Sequence, residues 1–280
     1  VTETQMAGWS VDGKTYGVPS SSQVLGSIWN PDLAKANGAT VTATSTIPDV
    51  TAQCPAVAAK SLSIYGLAGS VPQNNGLLGI ELASSAVYGV NPNWNQDRTD
   101  GKTTFAATEG WKQTLQAIID LNKAGCFQKG AAGAGFDALT NGAAGGKLFG
   151  FFAPGGAAKD IMDAAGGHVT LTVLPTPAPA GTKQQLTLSS DSGLAGNAAT
   201  KSPNLVKKFI QFAASPAEAK KVATAQGAIP VGEITAADLL PQYAGLADLI
   251  TSGATMPNGA NAWPNPQIYN ALGTGITGLL

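Results

Sequence analysis

The stretch from Trp9 to Gly38 constrains this chain more than any other. Asp12-Gly13 is a tight-turn signal between two short extended runs. Thr15-Tyr16-Gly17-Val18 is β-prone, and Pro19 is expected to stop it, because proline brings no N–H to a ladder. Three small hydroxyl residues and Gln23 then read as a polar loop, followed by a second strand-like run from Val24 to Trp29. Asn30 is placed to cap a helix with Pro31 at its first position. Asn37-Gly38 ends that helix. The expected order is hairpin, polar loop, strand, short helix.

A chain of 280 residues is too long for one comfortable core and suits two lobes. Hydrophobic residues make up 44% and charged residues 12%, so the chain is not of a disordered type. A net charge of −1 with scattered Lys and Arg gives no electrostatic case for nucleic acid. No basic amphipathic run points to a membrane surface. No apolar run reaches the ~18 residues that a membrane-spanning helix needs.

Further along, residues 49–60 read as a helix interrupted by Pro55, and Ser61 to Tyr65 as a strand. Residues 69–76 form a polar loop before an apolar run from Leu77 to Val90. Its amides, Gln73, Asn74 and Asn75, fit ordinary turn chemistry or presentation to ligand hydroxyls, since amides both donate and accept. Trp94, between two asparagines, either stacks on a ligand or packs over a strand end. Thr108 opens the clearest helix, with Trp111, Leu115, Ile118 and Leu121 on one face and Gly125 at its end. Gly133 to Ala138 fits G-x-G-x-x-A, but no strand precedes it, so nucleotide binding is not expected. His168, the only histidine, has no partner motif and reads as structural. Ser202-Pro203 starts a helix whose buried stripe is expected to be Leu205, Phe209 and Phe212. Ser215 to Glu218 is a capping box for the next helix, which Gly227 ends. Cys54 and Cys126 form no metal or redox motif; buried free thiols and one disulfide both remain open.

Several of these stretches, in this order and spacing, resemble the sugar-binding proteins of ABC importers. Residues 13–38 resemble that family's segment from Gly-Lys-x-Tyr-Gly-x-Pro to Tyr-Asn and a short helix, with Trp29 in place of the usual tyrosine. The helix from Trp111, the element from Phe136 to Gly156, Leu174-Pro175-Thr176-Pro177, Leu188 to Ala195 and residues 202–230 resemble further family segments. The resemblance covers nearly the whole chain. It implies an α/β, two-lobe fold of the periplasmic-binding-protein type, with a ligand cleft between the lobes and crossover strands. Residues 1–28 and 172–226 would belong to the first lobe, and 31–167 and 228–280 to the second, with hinges near 29–30, 168–171 and 227. The chain opens on material well inside the family's first lobe, so it is expected to lack that lobe's N-terminal part. An exported compartment permits a disulfide, and in the family both cysteine segments share a lobe; a Cys54–Cys126 bond is therefore expected.

The function implied is substrate binding for an ABC sugar importer. A mono- or disaccharide would be trapped between the lobes by hinge closure and delivered to a membrane permease. A sugar ring offers an apolar face and a rim of hydroxyls, met by an aromatic ring and by amides, hydroxyls or carboxylates. Trp29, Gln23, Ser21 and Asp191 are the leading candidates, with Ser192, Asn75, Trp94 and Phe152 behind them. No cofactor, metal site or nucleic-acid partner is expected. The chain should act as a monomer outside the cytoplasm, lipid-anchored in the complete protein. The same fold binding another neutral solute, or serving a sensor, is the alternative. A secreted glycoside hydrolase is a distant one. It needs two carboxyl groups about 5–9.5 Å apart, and none of the 17 acidic residues sits in a catalytic motif. No nucleophile elbow or phosphate loop appears.

Overall fold

The structure, a computed structural model, describes residues 3–6, 8–11, 13–232 and 234–280. Helix α1 (Glu3–Met6) leads into a hairpin of β1 (Ser10–Val11) and β2 (Lys14–Thr15), with Ser10 opposite Thr15. Asp12, the first expected turn residue, lies outside the described residues. The spine of the molecule is β3 (Val18–Trp29), a strand of 12 residues. Here the structure corrects the sequence reading. Pro19 does not stop the strand, and Ser20 to Gln23, expected as a loop, belong to it. The pairing register shifts between Pro19 and Ser22, and a bulge is where a strand accommodates proline.

Helix α2 (Pro31–Ala36) forms as expected, the Asn30 side chain accepting from Leu33 N–H at 2.9 Å. The helix expected over 49–60 is two: α3 (Ile47–Thr51), opened by a Thr46–Asp49 capping box, and α4 (Cys54–Ala58). Strand β4 (Ser63–Gly66) follows, then α5 (Pro72–Ala83), which continues into a π-helical turn, Ser84–Tyr88. Gln73 to Asn75 therefore occupy a helical first turn rather than a loop. Helices α6 (Trp94–Thr99), α7 (Glu109–Lys123) and α8 (Phe136–Ala144) precede β5 (Leu148–Pro154). Helix α7 buries Trp111, Ile118 and Leu121, the expected face. Then come α9 (Gly156–Ala164), β6 (Thr172–Leu174), β7 (Thr187–Leu194), α10 (Pro203–Ala213), α11 (Pro216–Ala225) and β8 (Ile229–Pro230). Helices α12 (Ala247–Thr251) and α13 (Gln267–Thr277) close the chain.

One sheet organises these elements. Strand β5 runs parallel to β4 and antiparallel to β3. The C-terminal part of β3 pairs with β5 and β6, and its N-terminal part with β7 and β8. Side chains alternate across a strand, so β3 supplies two cores. Trp29 faces one, with Tyr65, Leu78, Leu82, Phe149 and Phe152. Val24 and Ile28 face the other, with Phe151, Val173, Leu188 and Tyr243. A third cluster gathers Tyr88, Trp94, Trp111 and Trp263. Cys54 and Cys126 are bonded to one another inside the first core.

Two further expectations are overturned. Leu205, Phe209 and Phe212 of α10 are exposed, and the helix has no buried residue. Ser215 makes no capping bond; Glu218 pairs instead with Lys221 at 2.8 Å.

Candidate functional site

A groove of aromatic rings and amides lies where the chain after α1, strand β7 and the segment before α13 meet. Its first part, about 250 Å³, is lined by Gly8, Trp9, Ser190 and Asn261. The adjoining part, about 330 Å³, shares Asn261 and adds Asn258, Ala260, Trp263, Pro266, Tyr269 and Asn270. None of these lining residues is charged.

Each ring is fixed from behind. The Trp9 indole N–H donates to Ser190 Oγ at 2.6 Å. Its ring lies on bare backbone: a Cβ on Gly17 or Gly193 would stand 2.4 or 2.3 Å from its carbons, so both positions require glycine. The Tyr269 hydroxyl donates to the Gln73 carbonyl at 3.1 Å. Burial, then the nearby Glu81 carboxylate, hold the Tyr269 phenol far above its usual range, so it stays a neutral donor. Trp263 donates its N–H to Tyr88 Oη at 3.1 Å and to Asn95 Oδ1 at 3.2 Å. Asn261 donates its amide to Ser189 Oγ at 3.3 Å and is otherwise exposed. Asn258 caps the short turn Gly259–Ala262 by accepting from Ala260 N–H at 2.9 Å. Amides on a rim and rings between them suit a neutral, hydroxyl-rich ligand.

Residues 2–257 match the family of bacterial extracellular solute-binding proteins. The chain belongs to that family. Solved structures carry the same two-lobe α/β fold. One is a sugar transporter of Bacillus licheniformis in complex with stachyose: 18% identity, TM-score 0.75, covering 96% of this chain and 70% of that one. The GacH receptor of Streptomyces glaucescens, solved unliganded and with acarbose, aligns at 17% identity and TM-score 0.72, covering 99% and 69%. A probable secreted solute-binding lipoprotein of Streptomyces coelicolor aligns at 16% identity and TM-score 0.74, covering 100% and 70%. No sequence among the curated proteins matches the chain.

Within this solute-binding protein the candidates read from sequence fall in different places. Ser21 and Ser192 meet: Ser21 Oγ lies 2.9 Å from Ser192 Oγ and donates to Gln226 Oε1 at 2.7 Å. Gln23, two residues on, accepts from Gly156 N–H at 2.7 Å and from the Tyr243 hydroxyl at 3.1 Å. Ser21 and Gln23 are themselves buried, 0% and 5% exposed, and four further candidates are enclosed as well. Trp29 is 3% exposed and packs on Tyr65 and Phe149. Phe152, fully buried, lies 4.6 Å from the Tyr65 ring. Trp94 donates to Thr108 Oγ1 at 2.8 Å among Phe105 and Trp111. Asn75 donates to the Gly69 carbonyl and to Thr277 Oγ1, at 3.0 and 2.8 Å. The Asp191 side chain lies outside the described residues. Trp9, Asn261 and Tyr269 were not among the candidates. Trp9 opens the most informative stretch of the sequence, and Tyr269 lies in the first turn of α13.

A larger cavity, about 820 Å³, lies between α3, α7 and Pro179-Ala180. It carries no aromatic ring, and Glu109, Lys112, Asp120 and Lys123 are among its lining residues, so its chemistry differs from that of the groove. Among the described residues, no group of three or more His, Cys, Asp or Glu is placed to hold a metal ion. Among the described residues, no helix is long and apolar enough to cross a membrane.

Proposed function

We propose that this chain is the extracytoplasmic substrate-binding component of an ABC importer for a neutral sugar, and that it binds rather than transforms its ligand. The observation that carries this reading is the uncharged groove in which Trp9, Trp263 and Tyr269 alternate with Asn258, Asn261 and Asn270. The sugars bound by solved relatives, stachyose and acarbose, support it. A mono- or disaccharide fits the two adjoining volumes of about 250 and 330 Å³, near the lower end of the range for small-molecule sites.

The groove is one wall of the cleft in this reading. Residues 1–28 and 172–226 belong to the first lobe, 31–167 and 228–280 to the second, with hinges near 29–30, 168–171 and 227. Ser21, Gln23 and Ser192 stand on the first-lobe strands; Ser21 and Gln23 are buried and hydrogen-bonded within the fold, and Ser192, partly exposed, is the one that closure brings towards the ligand. Trp29, Trp94, Phe152 and Asn75 serve the scaffold. The closed form docks, as a monomer, on a permease; the lipoprotein among its relatives supports a lipid anchor in the complete protein. The exposed apolar face of α10 marks a border of the first lobe, and the solved relatives carry further chain beyond the aligned part.

Thermal unfolding of the chain against stachyose, acarbose and a panel of smaller sugars tests the assignment. A ligand that binds only the folded state adds about 2.7 kcal/mol at a hundredfold excess over Kd. The Trp9→Ala variant should lose that shift while unfolding cooperatively without sugar. A panel that shifts nothing sinks the sugar reading.

A further inference from the structure

The end of helix α5 grips the segment that feeds β7, through three side chains spaced along one turn. Glu81 accepts a hydrogen bond from the Thr176 hydroxyl. Ser85 Oγ accepts from Gln185 N–H at 3.2 Å, and Ser84 Oγ from the Thr187 hydroxyl at 3.0 Å. The helix turns π-helical at Ser84, a widening frequent at functional sites. Two and three residues beyond Thr187, Ser189 and Ser190 hold Asn261 and Trp9. The other end of α5 carries Gln73, whose carbonyl holds Tyr269. The grip thus ties both walls of the groove to one helix.

Glu81 is the unusual member. It is 4% exposed, and its Oε1 has no partner among the described residues. A buried carboxylate without a cation is costly, whereas the neutral acid is tolerated. Among the described residues, no cation is at hand. The elements packed against α5 are β3, β5, α7, α13 and the π-helical turn. Strands β3 and β5, helix α13 and the turn contain no Asp, Glu, Lys or Arg. Helix α7 keeps Glu109, Lys112, Asp120 and Lys123 exposed, and Lys183 of the gripped segment is exposed too. The titratable groups that feel Glu81 are the phenols of Tyr65 and Tyr269, both pushed up chiefly by burial. Burial likewise pushes the Glu81 carboxyl up to about 8, against the opposing hydrogen bond from Thr176.

We propose that Glu81, Ser84 and Ser85 form a proton-dependent clasp between α5 and the segment 176–187, which couples the acidity outside the cell to the ligand groove. The sign follows from linkage. When the clasp opens, Glu81 meets water and returns towards its ordinary value of 4.5. Below that value both states hold the proton and the clasp has its full strength. As pH rises towards about 8, the open state sheds a proton that the closed state keeps, so the clasp weakens; beyond, the effect levels off. The clasp is a positioning device, and its consequence for binding rests on the sugar reading of the groove.

Amide hydrogen exchange of residues 185–190 without sugar tests the clasp itself. Protection, corrected for base catalysis, should fall at least about tenfold between about pH 5.5 and about pH 7.5 in the native chain. Glu81→Gln keeps an acceptor for Thr176 without a titrating proton, and its profile should be flat. Thr176→Val removes the donor and should lower protection about fivefold at about pH 5.5, the worth of one hydrogen bond. A flat native profile, an equal fall in Glu81→Gln, or a parallel fall throughout α7 would overturn the proposal. Stachyose affinity over the same range is the second arm. It should weaken with rising pH in the native chain and not in Glu81→Gln. Absence of binding by stachyose and by every smaller sugar of the panel at every pH counts against the sugar reading, and the exchange profile still decides the clasp.

Discussion

Helices α5 and α10 are nearly equal in length, 12 and 11 residues, yet they sit at opposite extremes of the molecule. Every residue of α5 from Asn74 to Ala83 is buried, enclosed by β3, β5, α7 and α13. Helix α10 has no buried residue, and three of its five large apolar side chains, Leu205, Phe209 and Phe212, are 68%, 59% and 61% exposed. By sequence alone α10 is the better amphipathic helix, with one clean stripe. Helix α5 is apolar nearly all round, which is the mark of an element inside a core. A stripe states which face wants cover. It does not state that cover is present.

The largest test of that contrast is Leu82→Ala in α5. Leu82 is fully buried, and truncation there should cost about 2–5 kcal/mol, the transfer loss plus the cavity left behind. Denaturant unfolding measures it. A cost below about 1 kcal/mol would mean that α5 is not held as its burial indicates.

The disulfide sharpens the comparison next. Cys54 and Cys126 are fully buried in the core to which Leu78 and Leu82 of α5 belong. Replacing both by serine should cost about 2–4 kcal/mol, chiefly by freeing the unfolded chain. The loss should show in the cooperative unfolding of that core and leave the exposed face of α10 unchanged. An unaltered midpoint would show that the bond constrains little.

Much of this architecture is legible in the sequence where one local rule decides the outcome. Asn30 and Pro31 announce α2, Gly125 ends α7, and the stripe from Trp111 to Leu121 finds its core. Reading fails where a partner distant in sequence decides. Pro19 looks like a stop, but β7 accepts it in a bulge. Gln73 to Asn75 look like a loop, but α13 lies against them and Thr277 takes up the Asn75 amide. The groove shows the same division. The sequence points to neutral amides and aromatics as ligand-facing groups, but which ring lines the groove depends on what stands behind it. Trp29 and Trp94 have rings on their faces. Trp9 has the bare backbone of Gly17 and Gly193 on one side, and no periodicity reveals that.

The smallest effect is expected on α10. An exposed apolar residue away from caps, turns and ion pairs changes stability by about ±0.5 kcal/mol when replaced, because little burial is lost. Phe209→Ser should therefore leave the unfolding midpoint of this chain nearly unchanged while reducing its tendency to self-associate, as exposed apolar patches drive association. Sedimentation at increasing concentration, beside the denaturant series on Leu82→Ala, gives the two halves of the contrast. A loss of about 2 kcal/mol or more in Phe209→Ser would mean that the face is covered in solution, by a second copy if self-association is lost with it. Nearly unchanged stability together with lost self-association would establish that α10 presents an apolar face to solvent, because a covered face would lose stability when truncated.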